Sequence, residues 1–244
     1  MQINQRSVLI MDNTTPQSQL EPQHQSYYQQ FIHWIILAFL VILPSVIWAQ
    51  SIDNFSIYYE YDTPPGQVVY IFSKLAGLYA VFLLWLQVLL GLMRHTSYWP
   101  GRNISIKFHR NLGITAFSAL ILHAALFVTA VSIRKNTFVY DLLLPVFDHG
   151  FYRIAVTLGI LALYGLIIVV IAGFLRKQGN KKAVWVHRIS LIALTLTLIH
   201  CLLIGTETRY LTMIAVYVFM ASSIIFMLIH RFKNRVIPLQ KQSS

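Results

Sequence analysis

Four histidines carry the chemistry that this sequence suggests. His109 and His123 lie 14 residues apart and His187 and His200 lie 13 apart, each pair inside an apolar stretch long enough to cross a membrane. Histidine is costly in hydrocarbon and marks function there. A neutral imidazole is also an ordinary axial ligand for haem iron. Two histidine pairs therefore point to two stacked haems. With nine histidines in 244 residues, any one spacing arises by chance about 4% of the time, so a single pair would be unremarkable. The joint pattern is rarer, because the first member of each pair is followed by arginine (Arg110 and Arg188). The planar guanidinium fork suits a haem propionate. An arginine at a membrane edge also serves as a topology signal or an interfacial snorkel, and both roles fit here.

These residues need a scaffold that spans a bilayer. The chain is 57% hydrophobic and 11% charged, far from the soluble average of about 45–50% apolar and 25% charged. Apolar runs of about 20 residues fall at Phe31–Ala49, Val68–Met93, Ile106–Ile133, Tyr152–Leu175, Val184–Gly205 and Leu211–His230. The expected fold is an all-α, six-transmembrane-helix bundle over residues 31–232, with the haems between the third and fifth helices. A disordered, Gln- and Ser-rich tail is expected over 1–30 and a short basic tail over 233–244. The net charge of +11 follows the connections, so it reads as positive-inside signalling rather than nucleic-acid binding. Arg94, Arg102, Lys107, Arg110, Arg176, Lys177, Lys181, Lys182, Arg188, Arg231, Lys233, Arg235 and Lys241 mark the cytoplasmic side. Asp53, Glu60 and Asp62, then Asp141 and Asp148 beside Arg134, Lys135 and Arg153, then Glu207 beside Arg209 lie in the other connections. Both termini are then cytoplasmic, as in a multi-pass protein of a bacterial inner membrane.

In that topology the third and fifth helices run in the same direction, so the four histidines fall at two matching depths about 20 Å apart. A 14-residue offset falls about 40° short of four turns, which keeps His109 and His123 on one face. A 13-residue offset leaves His187 and His200 about 140° apart, so the fifth helix needs a bulge, local overwinding, supercoiling or side chains that reach around it. His24, His33, His95, His149 and His230 fall in the tail, at helix margins or in a loop, where a solvated or interfacial role suffices. Cys201 is the only cysteine, which rules out an intramolecular disulfide, and it reads as a small packing residue. Two imidazoles per level make an incomplete copper or zinc site. A different class of function, a haem-free transporter or assembly factor with the histidines along a polar path, uses the same residues.

The stretches FHRNLGITAFSALILHAALF (Phe108–Phe127) and VWVHRISLIALTLTLIHCLLIG (Val184–Gly205) resemble the ferric reductase-like transmembrane domain, the di-haem module of NADPH oxidases and ferric reductases. The resemblance covers about residues 68–232. Its most specific part is the HRxLG start with a histidine 14 residues on, together with HR and a histidine 13 residues on. It implies two b-type haems and their ligand pairing: His109 and His187 for the inner haem, His123 and His200 for the outer. It also implies a haem-bearing oxidoreductase component that passes electrons to an outer acceptor such as a ferric chelate, oxygen or a partner protein. The flavin and nicotinamide domains of complete family members are not in this sequence, so no FAD or NAD(P)H site is expected. A cytoplasmic flavin reductase-type donor or membrane quinol is expected instead. The short bacterial haem subunit that serves a periplasmic methionine sulfoxide reductase is similar in length, but that family tends to lack the first histidine of the third helix, and this chain has His109.

Overall fold

The structure is a computed structural model that describes residues 21–52, 55–59, 63–93, 106–147, 150–177 and 181–236. The chain forms two compact units, residues 1–39 and 40–244. The described part of the first unit belongs to helix α1 (Glu21–Ile52) and exposes Phe31, Ile35 and Phe39.

The described residues of the second unit form helices and their connections, with α2 (Gln67–Met93), α3 (Ile106–Lys135), α4 (Gly150–Lys177), α5 (Lys181–His187), α6 (Ile189–Ile204) and α7 (Leu211–Val236). Among the described residues three short 3-10 turns, Phe55–Tyr59, Tyr140–Leu143 and Thr206–Arg209, sit in the connections. Runs of Leu, Ile, Val and Ala form helices here because a helix closes its own backbone hydrogen bonds, which hydrocarbon cannot do for it. Among the described residues five stretches are long and apolar enough to cross a membrane: Gln67–Met93, Lys107–Lys135, Gly150–Leu175, Trp185–Ile204 and Leu211–Lys233. The chain is thus an all-α, multi-pass membrane bundle.

Two antiparallel hairpins make up its centre. In the first, α2 packs along α3, and Gly66 pins the turn before α2. Its φ is +77° and an added Cβ would lie 2.5 Å from the Ala130 carbonyl oxygen of α3, so only glycine fits. At the same end Arg134 donates to Gln67 Oε1 at 2.8 Å. Helix α3 ends at Asn136, whose φ of 50° is the left-handed stop that asparagine tolerates. In the second hairpin α4 packs along α5 and α6. Helix α7 adds to α2, where Trp85 Nε1 donates to Ser223 Oγ at 2.9 Å. The last turns of α1 bind α2 through Trp48 Nε1, which donates to the Ile71 carbonyl at 2.8 Å, and a 2.6 Å contact of Ser45 Oγ with Tyr79 OH.

Several expected boundaries need correction. The segment expected to be disordered through residue 30 is helical from Glu21, because Pro22 falls in the first turn, where its missing N–H costs nothing. Residues 1–20 lie outside the described residues. The last helix continues to Val236, beyond the run expected to end at His230 and the domain expected to end at residue 232, since Lys233 and Arg235 at a membrane margin do not break a helix. The first expected span, Phe31–Ala49, falls within α1. The fifth expected helix is two helices, broken at Arg188. Asp53, Glu60, Asp62, Arg94, His95, Arg102, Asp148, His149 and Lys241 lie outside the described residues, as do the side chains of His24 and His33.

Helix α4, at 28 residues, is about 42 Å long and separates its two flanking connections by a bilayer. Single cysteines at Phe138 and Lys182, in a Cys201→Ser background, are therefore expected to react with a membrane-impermeant maleimide from opposite sides. Labelling of both from one side would contradict the hairpin.

Candidate functional site

Each histidine leans on the helix beside its own. His123, on α3, donates from Nδ1 to the Ser73 carbonyl of α2 at 2.8 Å, and the Ser73 hydroxyl donates back to the His123 carbonyl at 3.1 Å. His200, on α6, donates from Nδ1 to the Ala155 carbonyl of α4 at 2.8 Å. A carbonyl can only accept, so both rings carry their proton on Nδ1, and Nε2 keeps the lone pair that binds a metal. This is the arrangement by which an outer hydrogen bond fixes a ligand's tautomer and orientation.

The glycine four residues after each acceptor makes that bond possible. A helical carbonyl points along the axis toward residue i+4, so a ring reaching it passes over that residue's Cα. A Cβ at Gly77 would lie 2.8 Å from His123 Nδ1, and one at Gly159 would lie 2.7 Å from His200 Nδ1. Fourteen residues further along α2 and α4 the same register recurs. Gln87 and Gly91 face His109, and Val169 stands four residues before Gly173 and accepts from His187 Nδ1 at 3.4 Å. Two glycine pairs each 14 residues apart, 77/91 and 159/173, were a signal present in the sequence that the histidine analysis did not use.

The two levels are built differently. The His109 and His187 rings come together, with centroids 6.3 Å apart at 67°. Two imidazoles bonded to one metal at about 2.0 Å each would have centroids about 6 Å apart. His109 Nε2, however, lies 3.0 Å from Gln87 Nε2; with an amide N–H as donor, the ring's lone pair is taken. Gly113, the glycine of the HRxLG start, leaves room for that amide, since a Cβ there would lie 2.8 Å from Gln87 Nε2. Gln87 Oε1 is buried without a partner among the described residues. At the other level, His123 and His200 lie within electrostatic reach of each other, and the contacts to Ser73 and Ala155 leave both Nε2 atoms unused.

The 13-residue offset is resolved at Arg188. Its N–H bonds the Trp185 carbonyl at 3.0 Å and its carbonyl accepts from Leu191 N at 3.2 Å, both three-residue bonds that overwind the chain by about 20° per residue. Overwinding and side-chain reach together bring His187 and His200 to one face of α4. Arg188 itself is exposed, its guanidinium 4.0 Å over the exposed Trp185 ring, a contact suited to a membrane edge. Arg110 is exposed at the start of α3.

A second polar feature was not anticipated. Lys74 Nζ and Glu207 Oε1 form a 2.9 Å ion pair whose side chains are 14% and 7% exposed. In the sequence Lys74 lies inside the Val68–Met93 run and Glu207 in a connection, with nothing to pair them. Among the described residues no group of three or more His, Cys, Asp or Glu is placed to hold a metal ion. The chain matches no protein-family model, no curated protein and no solved structure.

A methyl group at Gly159 must displace the His200 ring, whereas one at Gly173 meets nothing within 4 Å. Gly159→Ala is expected to lower stability in detergent by about 1–3 kcal/mol through overpacking. Gly173→Ala is expected to be neutral or stabilising, and thermal unfolding of the two side by side tests this.

Proposed function

We propose that this protein is a ferric reductase-like b-type cytochrome that carries electrons across the membrane between two haems. The observation that carries the reading is the pair of Nδ1–H bonds from His123 and His200 to backbone carbonyls, which orient two neutral imidazoles at one depth with Nε2 as the available donor. The scaffold adds support. Only 17% of the apolar window is buried in each of the two histidine-bearing spans, against 56% in α2 and 44% in α4. Those uncovered flanks suit a large apolar cofactor beside the histidines.

In this reading His123 and His200 hold the outer haem and His109 and His187 the inner one, inner and outer being assigned by the positive-inside distribution of Lys and Arg over six spans with cytoplasmic termini. To hold the inner haem, His109 would give up its Gln87 contact. Arg110 and Arg188, at the inner membrane edge, pair with haem propionates. A bis-histidine haem supplies one-electron transfer without an open coordination position. The residues of this chain then hold the rings in register, exclude water from the bundle and keep a basic face toward a cytoplasmic flavoprotein; a membrane quinol is the other donor of suitable chemistry. The acceptor on the other side is a ferric chelate, oxygen or a partner protein.

Protein purified from haem-replete cells is expected to contain two b-type haems per chain, read by the pyridine haemochrome assay and reduced-minus-oxidised spectra. His200→Ala should lose the outer haem and His187→Ala the inner, each keeping the other. A folded but colourless protein would overturn the cytochrome reading in favour of a polar transport path.

A further inference from the structure

Glu207 is the one charged residue among the described residues that is buried, at 5% exposure. Its carboxylate meets Lys74 Nζ at 2.9 Å and accepts from Thr206 Oγ1 at 3.3 Å, while Lys74 also reaches Ser51 Oγ of α1 at 3.4 Å. Placing two opposite charges in such a site is costly, and a bundle that needed only packing would do as well with apolar residues. Their location suggests what they are for. Lys74 follows Ser73, whose carbonyl and hydroxyl both bond His123. Glu207 Oε2 lies 3.5 Å from where a Cβ on Gly205 would stand, and Gly205 N bonds the carbonyl of Cys201, the residue after His200. The pair thus sits beside Ser73, the anchor of His123, and against the turn that closes α6 just after His200. Gln87 gives the His109/His187 level a neutral partner instead.

Resting on the cytochrome reading, we propose that Lys74 and Glu207 form a balanced charge pair that sets the reduction potential at the His123/His200 level. A charge in low dielectric acts strongly over short distances, and local charge and burial are among the levers that set a haem potential. Paired, the two charges nearly cancel at the iron. Removing either one exposes the field of the other. An unpaired lysine favours the reduced, less positive haem, and an unpaired glutamate favours the oxidised one.

The test is a spectroelectrochemical titration of both haems in the full-length protein in nanodiscs, native and with Glu207→Gln or Lys74→Gln. The outer signal is identified as the one missing in His200→Ala. Glu207→Gln is expected to raise the outer potential, Lys74→Gln to lower it, and both to leave the inner potential within error. A purely structural contact predicts shifts of the same sign or none, and either result overturns the proposal. Because a lone buried charge can prevent folding, Ser51→Asp/Glu207→Gln is included, in which a carboxylate meets Lys74 from α1; it should return the outer potential to the native value. An outer potential for this variant that stays displaced overturns the proposal even if neither single variant accumulates. Native protein without haem would overturn the cytochrome reading and this inference together. Haem-loaded variants with unmoved potentials would overturn the inference alone.

Discussion

Everything in this bundle turns on how a histidine inside hydrocarbon satisfies its ring N–H. Left without an acceptor, a buried donor costs about 1–3 kcal/mol, and a helical span offers only backbone carbonyls that already serve the residue four positions on. A carbonyl oxygen has a second lone pair, but it is reachable only where no side chain covers it. Gly77 and Gly159 uncover the Ser73 and Ala155 carbonyls, and His123 and His200 take them. One interaction thus fixes the tautomer of the ring, the partner of the helix that carries it and the register of the pair.

From that constraint the two hairpins follow. Helix α2 must lie against α3, and α4 against α6, at registers where carbonyl, glycine and ring coincide. The repeat 14 residues along each acceptor helix extends the alignment to His109 and His187. The chain meets it on the second hairpin by breaking between α5 and α6 at Arg188. A straight helix would carry His187 and His200 to different faces; three-residue hydrogen bonds around Arg188 remove part of that mismatch.

The levels differ in what surrounds their imidazoles. Around His123 and His200 the contacts are backbone carbonyls with an ion pair close by, all fixed by helix packing. Around His109 the partner is the Gln87 amide, a side chain with rotatable bonds and an unmet acceptor. A backbone acceptor holds a ring rigidly, whereas a side-chain partner can release it. The asymmetry distinguishes the two depths in a way that histidine spacing does not.

Much of this architecture is legible in the sequence, because hydrophobic run length and helical periodicity are local properties. The apolar runs mark five of the helices to within a few residues, the four histidines fall at two depths, and the angular mismatch of the 13-residue pair is visible as a problem before its solution is seen. The glycine pairs 77/91 and 159/173 are also in plain sight, but a glycine in a span reads as packing until the ring against it is known. Contacts between distant segments are different, since nothing near Lys74 names Glu207, and nothing near His109 names Gln87. Sequence by itself determined the all-α membrane class and the candidate ligands, because composition and spacing act within a single helix. Tertiary structure alone decided which carbonyl each histidine takes, where the fifth span breaks and which charges are buried together, because those depend on the register between helices that no local pattern encodes.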